Sequence, residues 1–557
     1  MSRLTLVFET GRSNSPELQA RSEHPINGTS VHGLADKTLL PSSIHESPYS
    51  ECHRPGFSFS VAARSLVTWS TFAVTTALPV SIEYPTAQKW AEIFRLERSI
   101  HTSIILPNDP AYTAETTQRW TTWEAPSFIA AIKPTSEGEI ASVIKLCANH
   151  DIPFLVTGGG HGAGTGYGSV KRALNIDLGN FRDVDLNAGE NLLTVGGATQ
   201  AGQIYQPLYQ AGKELPTGRS HCVGLVGLTL GGGIGTLQGK HGLVMDSLLS
   251  VRMVTAQGET VTVSKQDNPD LFWALRGAGA NFGIVTSALY KVYDAANGGQ
   301  FVNADFEYDG SNTVELWRLL ESLDDDMTSE LSIVLGCGYN RQKKEPILIA
   351  NVVYSGTLQD ALPHLVGFAA CKPTRSSIST VPWPELSSVA QFGFESMACN
   401  RHQFVSVYTI GLNSINVDTL ETVFREYMDF YSKNPGFEGR FGFQKYSNKV
   451  TMAVGVPGSG DESVYPWRNI KTQVLFRNMQ TDRSLDGAVD ALTRSLRSRL
   501  ESTSGFDRFQ PYINYAHGDE SPEDLYGPSN LPRLVELKRK WDPQNLFGKG
   551  FPVPLAL

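Results

Sequence analysis

Glycine sets the first limit on what this chain can become. Seven of the eleven residues from Gly158 to Gly168 are glycine, in the order G-G-G-H-G-A-G-T-G-Y-G. A second cluster runs from Gly224 to Gly242 around Gly231-Gly232-Gly233-Ile234-Gly235. Glycine reaches positive φ without strain and leaves no Cβ between main chain and ligand. The N–H groups of such loops converge into concavities that suit a pyrophosphate, whose charge needs several donors. Two clusters, each following a strand or turn signal, point to a dinucleotide rather than to tight turns alone. The common nucleotide folds do not fit. Gly158, Gly160 and Ala163 meet the Rossmann pattern, but a helix must then open at once, and Gly164, Gly166 and Gly168 oppose one. A P-loop fails because Gly239-Lys240 is followed by His241 rather than Ser or Thr.

The 557 residues exceed what one core usually serves, so two or more packed units are expected. Charged residues at 18 %, apolar ones at 41 % and a net charge of −9 describe an ordinary globular chain, with no nucleic-acid partner expected. Six cysteines without a C-x-x-C pair exclude a disulfide-dense scaffold and a zinc ribbon. The most apolar stretch, Ser65 to Val80, is interrupted by Thr68, Ser70, Thr71, Thr75 and Thr76, so no membrane-spanning helix is predicted and no membrane partner expected. Residues 1–84 read as a disordered or leader extension that carries the single glycosylation pattern, Asn27-Gly28-Thr29. Arg64 and the apolar stretch after it resemble a signal-peptide core set too far into the chain, so an intracellular protein is favoured and secretion left open.

From about Pro126 the chain becomes regular. Ser136 and Glu139 form a capping-box pattern, and Ile140, Val143, Ile144 and Cys147 follow at helical spacing, which makes Cys147 a core residue. Ile152 to Val156 reads as a strand running into Gly158. Further strands are predicted at Ala173–Leu178, Leu192–Val195, Val251–Ala256 and Thr260–Val263, with helices at Thr199–Gly212, Asp418–Tyr431 and Leu531–Trp541. The fold class is α+β, and residues 300 to 505 form a second α+β unit. His161 alone interrupts the first glycine cluster with a reactive side chain. No second His, Asp or Glu sits at ligand spacing, so no metal is expected, and a nucleophile toward a cofactor remains open.

Gly158-Gly159-Gly160-His161-Gly162, Asn175-Ile176-Asp177-Leu178 and Val195-Gly196-Gly197-Ala198 resemble the FAD-binding domain of the vanillyl-alcohol-oxidase superfamily, with its PCMH-type fold. The likeness continues through Val223-Gly224, Gly227 to Gly235, His241-Gly242-Leu243 with Asp246, Asp270 to Gly279, and Asn281 to Thr286. Tyr512-Ile513-Asn514-Tyr515 and Trp541 to Phe547 complete a series similar to the berberine-bridge-enzyme-like oxidoreductases, fungal members above all. The resemblance implies an FAD-binding domain over 85–295, a substrate domain over 296–505 and a C-terminal segment, 506–557, returning to the first.

It also implies roles. His161 stands where the family carries FAD through an 8α-histidyl bond, an attachment that raises the flavin's potential. Relatives often add a cysteinyl link where this chain has Ser220, with Cys222 two residues later; both are candidate cofactor-binding residues, and a single covalent link is expected. Gly158, Gly159, Gly160 and Gly162, with Gly224, Gly227, Gly232, Gly233 and Gly235, are expected to wrap pyrophosphate and flavin. Gly283, Ile284 and Val285 match backbone contacts to the cofactor, and Val223 matches a position credited with admitting oxygen. Asn514 and Tyr515 belong to the Y-x-N-Y motif, in which Tyr515 matches the catalytic tyrosine. Where an acid often faces the flavin, the chain has Gln444, which leaves Tyr446 as an alternative base. The implied activity is hydride transfer from an alcohol or activated C–H of a small molecule to FAD, with O2 reduced to H2O2, as a tailoring step of fungal secondary metabolism. A carbohydrate oxidase, or a flavin-dependent cyclase or non-redox flavin protein, are the alternatives.

Overall fold

A computed structural model of the protein describes residues 87–455 and 458–557. The expectations for residues 1–84, including Asn27 and the Ser65–Val80 stretch, lie outside the described residues.

Strands β1 (Phe128–Ile132), β2 (Phe154–Thr157) and β3 (Ala173–Asp177) form a parallel sheet in the order β1-β3-β2. The helix Glu137–Asn149 connects the first two and buries Ile140, Val143, Ile144 and Cys147, as its spacing predicts. Its cap is only half reciprocal. Ser136 Oγ accepts from Glu139 N at 3.2 Å, but the Glu139 carboxylate turns to Thr135 N, His101 N and Thr102 N. These donors hold the carboxyl down to about 2 against the burial that would raise it. The side chain that sequence assigns to its own helix therefore pins a distant loop.

Beyond β4 (Val184–Asn187), β5 (Leu192–Gly196) and the short β6 (Lys213–Glu214) come β7 (Leu248–Thr255), β8 (Thr260–Ser264), β9 (Gly283–Lys291) and β10 (Tyr293–Asp294). Five of them build an antiparallel sheet in the order β4-β5-β9-β7-β8, and β6 pairs with β10. The helices Ala201–Gln210 and Leu531–Trp541 stand close to where the sequence places them.

The remaining strands, β11 (Gln300–Asp309), β12 (Leu331–Asn340), β13 (Glu345–Tyr354), β14 (Arg375–Pro382), β15 (Val405–Leu412), β16 (Arg440–Tyr446) and β17 (Thr472–Met479), make one antiparallel sheet ordered β14-β11-β13-β12-β16-β17-β15. Its strands alternate with period two. Phe441, Phe443, Val474, Phe476, Tyr408 and Ile410 enter the core beneath the helices Thr313–Ser322, Leu358–Ala370, Val417–Lys433 and Asp486–Glu501. The residues between them, Arg440, Gly442, Gln444, Leu475, Arg477 and Val407, line a cavity on the other face. A slip of one residue would exchange the two sets, so the register that fills the core also decides what the cavity presents.

The C-terminal segment is knotted onto the glycine-rich half by Asp542. Its carboxylate accepts from Leu546 N and Phe547 N, both at 2.8 Å, and from Lys538 Nζ at 2.7 Å, while that ammonium also donates to Asn281 O at 2.9 Å. Lys538 and Asp542 are fully buried. Removing one member of such a pair leaves the other charge unpaired in low dielectric. Asp542→Ala is therefore expected to destabilise the fold by about 3 kcal/mol, read as a lower midpoint in urea unfolding.

Candidate functional site

Strand β2 delivers the first glycine cluster, because its last residue, Thr157, leads straight into Gly158. After Gly164 a short 3-10 turn, Thr165–Ser169, replaces the helix that a Rossmann site would need. The two clusters touch. A Cβ on Gly159 would lie 2.5 Å from Gly224 N, so only bare main chain permits the approach. Gly160 has φ +74°, and a Cβ there would meet Gln118 O at 2.6 Å.

Between these loops and the open face of the seven-stranded sheet lies a cavity of about 520 Å3. Gly158, Gly159, Gly160, His161, Gly162, Val223, Gly224, Gly227, Gly283, Ile284, Val285, Asn514 and Tyr515 all line it. Residues from four separate stretches of sequence are thus brought to one place.

His161 is the most unusual side chain in it. The ring stacks on Trp120 at 5.7 Å between centroids, and Nε2 is buried without a hydrogen-bond partner. Burial pushes the imidazole down to about 3, and the positive charges of Arg401, Arg119 and Arg477 push the same way. At neutral pH the ring is uncharged, with a lone pair free for bond formation. Arg401 Nη1 donates to Gly159 O at 2.8 Å, and Arg119 donates to Gly162 O, so both cations also hold the glycine loop.

At another part of the cavity wall the Tyr-Ile-Asn-Tyr segment is fixed from two sides. Tyr512 Oη accepts from Gly233 N and Ile234 N, both at 3.2 Å, and from Asn514 Nδ2 at 2.8 Å. Asn514 Nδ2 also donates to Leu228 O at 2.9 Å. Tyr515 packs edge-on against Tyr512, and its hydroxyl accepts from Gln444 Nε2 at 3.1 Å. Burial raises the Tyr515 phenol above its ordinary value, opposed by the Gln444 hydrogen bond. Tyr515 is therefore protonated at neutral pH.

The carboxylate missing from β16 is supplied elsewhere, by Glu395, which no sequence motif marked. It lines the cavity, and its Oε1 accepts from Ser220 Oγ at 2.9 Å. Glu395 sits in the turn segment Ala390–Cys399, whose Gln391, Phe392 and Gly393 all have positive φ. Asp305 holds that segment by accepting from Gln391 N at 2.8 Å and Phe392 N at 3.0 Å. A disulfide between Cys222 and Cys399, 177 residues apart, ties its end to the loop below Ser220.

Three expectations need correction. The Cys222 sulfur is committed to Cys399 and does not line the cavity, so it has no thiol to offer a cofactor. Tyr446 shares the face of Gln444 on β16 but lies past the cavity's edge, packed with Ile234, Leu243 and Tyr465. Gly232, Gly233 and Gly235 do not line the cavity either. Gly232 and Gly233, with φ of +108° and +85°, turn the loop, and a Cβ on Gly235 would fall 1.8 Å from Thr217 O. Their role is to shape the loop. Ser220 keeps a place in the site, through Glu395.

The residues present fit FAD on two structural grounds: an unpartnered, uncharged imidazole faces the cavity, and bare main chain surrounds it. Gly227 offers a test, since a Cβ there meets nothing within 4 Å and would enter the cavity from the helix Leu225–Leu230. Gly227→Leu is expected to leave the melting temperature of the flavin-free protein unchanged or higher, since Leu favours a helix by up to about 1 kcal/mol over Gly. Its FAD affinity is expected to fall at least about tenfold, ~1.4 kcal/mol, measured by flavin content after reconstitution.

Comparison with known proteins agrees. The FAD binding domain family matches residues 128–264, and the berberine and berberine-like family matches residues 511–554. The chain is 43 % identical over 448 residues to the FAD-linked oxidoreductase azaL of Aspergillus niger, covering 80 % of this chain and 94 % of that one. Among solved structures, Physcomitrella patens BBE-like 1 superposes with a TM-score of 0.69 at 21 % identity, over 82 % of this chain and 98 % of that one. The glucooligosaccharide oxidase of Acremonium strictum, described with a 6-S-cysteinyl, 8α-N1-histidyl FAD, has a TM-score of 0.69 at 22 % identity, over 81 % and 97 %. Both structures share the PCMH-type fold of this chain.

Proposed function

The chain belongs to the berberine-like FAD-linked oxidoreductases, and we propose that it oxidises a small organic alcohol or activated C–H while O2 is consumed and H2O2 formed. The observation that carries this is His161, an uncharged imidazole in the cavity wall whose Nε2 has no hydrogen-bond partner. FAD, when bound, supplies the acceptor for the hydride, which carries both electrons that the substrate gives up. His161 is the proposed point of covalent attachment. Ser220 carries no thiol and Cys222 is bonded to Cys399, so the attachment is single.

Substrate oxidation also releases a proton, and the acceptor must stand within hydrogen-bond reach of it. Tyr515 is protonated, so it serves to orient the substrate's oxygen by a hydrogen bond. Glu395, a carboxylate in the same cavity, takes the proton, with Ser220 Oγ holding its other oxygen in place. Val223 lines the cavity as a small side chain compatible with access of O2. The fungal relative at 43 % identity is itself named an FAD-linked oxidoreductase, and the reaction proposed here is a tailoring step of fungal secondary metabolism.

The test is anaerobic mixing of the yellow holoenzyme with a panel of hydroxylated aromatic and polyketide-like alcohols. The expected result is bleaching of the flavin's visible absorbance by at least one class, with one H2O2 per product once air is admitted. Product formed without H2O2 would refute the oxidase reading. Flavin that bleaches with dithionite but with no member of the panel would argue for a non-redox role.

A further inference from the structure

Arg219 is an incompletely satisfied cation in the wall of the cavity. Its side chain is 9 % exposed and lines the cavity next to Ser220. Nη2 donates to Asn351 Oδ1, but Nε and Nη1 are buried without a partner. The nearest carboxylate, Glu395, has Oε2 3.9 Å from Nε, beyond hydrogen-bond distance, and its other oxygen already accepts from Ser220. Buried N–H groups of a guanidinium left unpaired are costly, and an arrangement that retains them has a use for them.

The guanidinium is also held in place. Asn351 Nδ2 donates to Asn303 Oδ1 and to Asp305 Oδ1, both at 2.7 Å, which leaves its Oδ1 turned to Arg219. The same Asp305 fixes the segment that carries Glu395. One buried network thus sets the spacing of a cation and a carboxylate, and both charges act on the Tyr515 phenol. Arg440 and Arg477 add positive charge to the same sheet face, against Glu395 as the only acidic residue of the lining among the described residues.

We propose that Arg219 is the substrate-anchoring residue of this cavity and that the substrate carries an anionic oxygen, a carboxylate or the anion of an acidic phenol or enol, paired with the Nη1 hydrogens of the guanidinium. The proposal rests on the oxidoreductase reading above and names its substrate class. A guanidinium whose Nη2 is held by Asn351 presents Nη1 in a fixed direction, which a flexible lysine ammonium does not. Held there, the anion's neighbouring hydroxyl or C–H lies on the side of the cavity that carries Tyr515 and Glu395.

The test uses the holoenzyme with salicylate and its uncharged analogue salicylamide, followed by flavin absorbance perturbation and by calorimetry. Wild type is expected to bind salicylate at least tenfold more tightly than the amide. Arg219→Gln is expected to weaken salicylate by about 30-fold or more and to erase the difference, with Arg219→Lys in between. Equal binding of the two probes by wild type, or no salicylate binding at millimolar concentration, overturns the proposal, and this comparison stands even if the variant folds poorly. A salicylate preference that survives in Arg219→Gln also overturns it. So does a variant whose flavin potential shifts while the preference stays, because that places the guanidinium on the cofactor. Failure of the anchor leaves a wild-type flavin that the alcohol panel above still bleaches and air reoxidises, whereas failure of the oxidoreductase reading leaves that flavin unbleached by every member of the panel.

Discussion

Glu395→Gln holoenzyme is expected to keep its full complement of flavin and to lose about 100- to 10,000-fold in the rate at which substrate reduces it, the range that a positioned general base contributes. Gln keeps the side chain's length and can still accept from Ser220 Oγ, so the geometry around Oε1 is preserved while the proton acceptor is lost. Stopped-flow mixing under anaerobic conditions isolates this step from reoxidation. A rate within threefold of wild type would remove Glu395 from the proton transfer. Tyr515→Phe provides the contrast. If the phenol orients substrate, its loss raises KM along with a smaller fall in kcat, because an interaction made before the barrier weakens binding as well as the transition state.

His161→Ala is expected to produce protein that binds FAD without a covalent bond and oxidises substrate about 10- to 100-fold more slowly. The attachment withdraws electrons from the flavin. A fall of about 60 mV in a two-electron potential is about 2.8 kcal/mol, ~100-fold in the equilibrium for accepting a hydride. Two measurements check this: the potential, by dye equilibration, and the rate of anaerobic bleaching. The cavity itself does not depend on the imidazole, since Arg401 and Arg119 hold the loop carbonyls on either side of it. Unchanged potential and turnover in the variant would contradict the tuning role.

The glycine loops were legible in sequence because what they do is local. Positive φ at Gly160, Gly232 and Gly233 and the contact of Gly159 with Gly224 are main-chain requirements that leave glycine as their trace. The absence of a Rossmann helix was legible for the same reason, and Cys147 was legible from helical spacing. Glu395 was not. It reaches the cavity because Asp305, on β11, and a disulfide spanning 177 residues hold an irregular turn in place, and neither leaves a periodic or short-range signal. The disulfide itself was hidden among six cysteines with no short spacing between them.

Tyr446 failed in a different way. Period two correctly puts it on the face of Gln444, but pattern alone does not say where the sheet passes from under the cavity to under Ile234 and Leu243. Gly232, Gly233 and Gly235 are placed at the cofactor by position in a motif, and Cys222 by its nearness to one. The motif fixes the loop's path, while only the packed structure separates residues that line the cavity from those that bend the chain beneath it. The Ser136 cap shows the same division, for the half that lies within its own turn was readable and the half that crosses to His101 was not.

The most direct measurement is mass spectrometry of the acid-precipitated protein and its tryptic peptides. The account predicts a pellet that stays yellow, one FAD mass per chain on the peptide containing His161, and none on the peptide containing Ser220 and Cys222. Flavin released wholly into the supernatant, or found on any other residue, would contradict it.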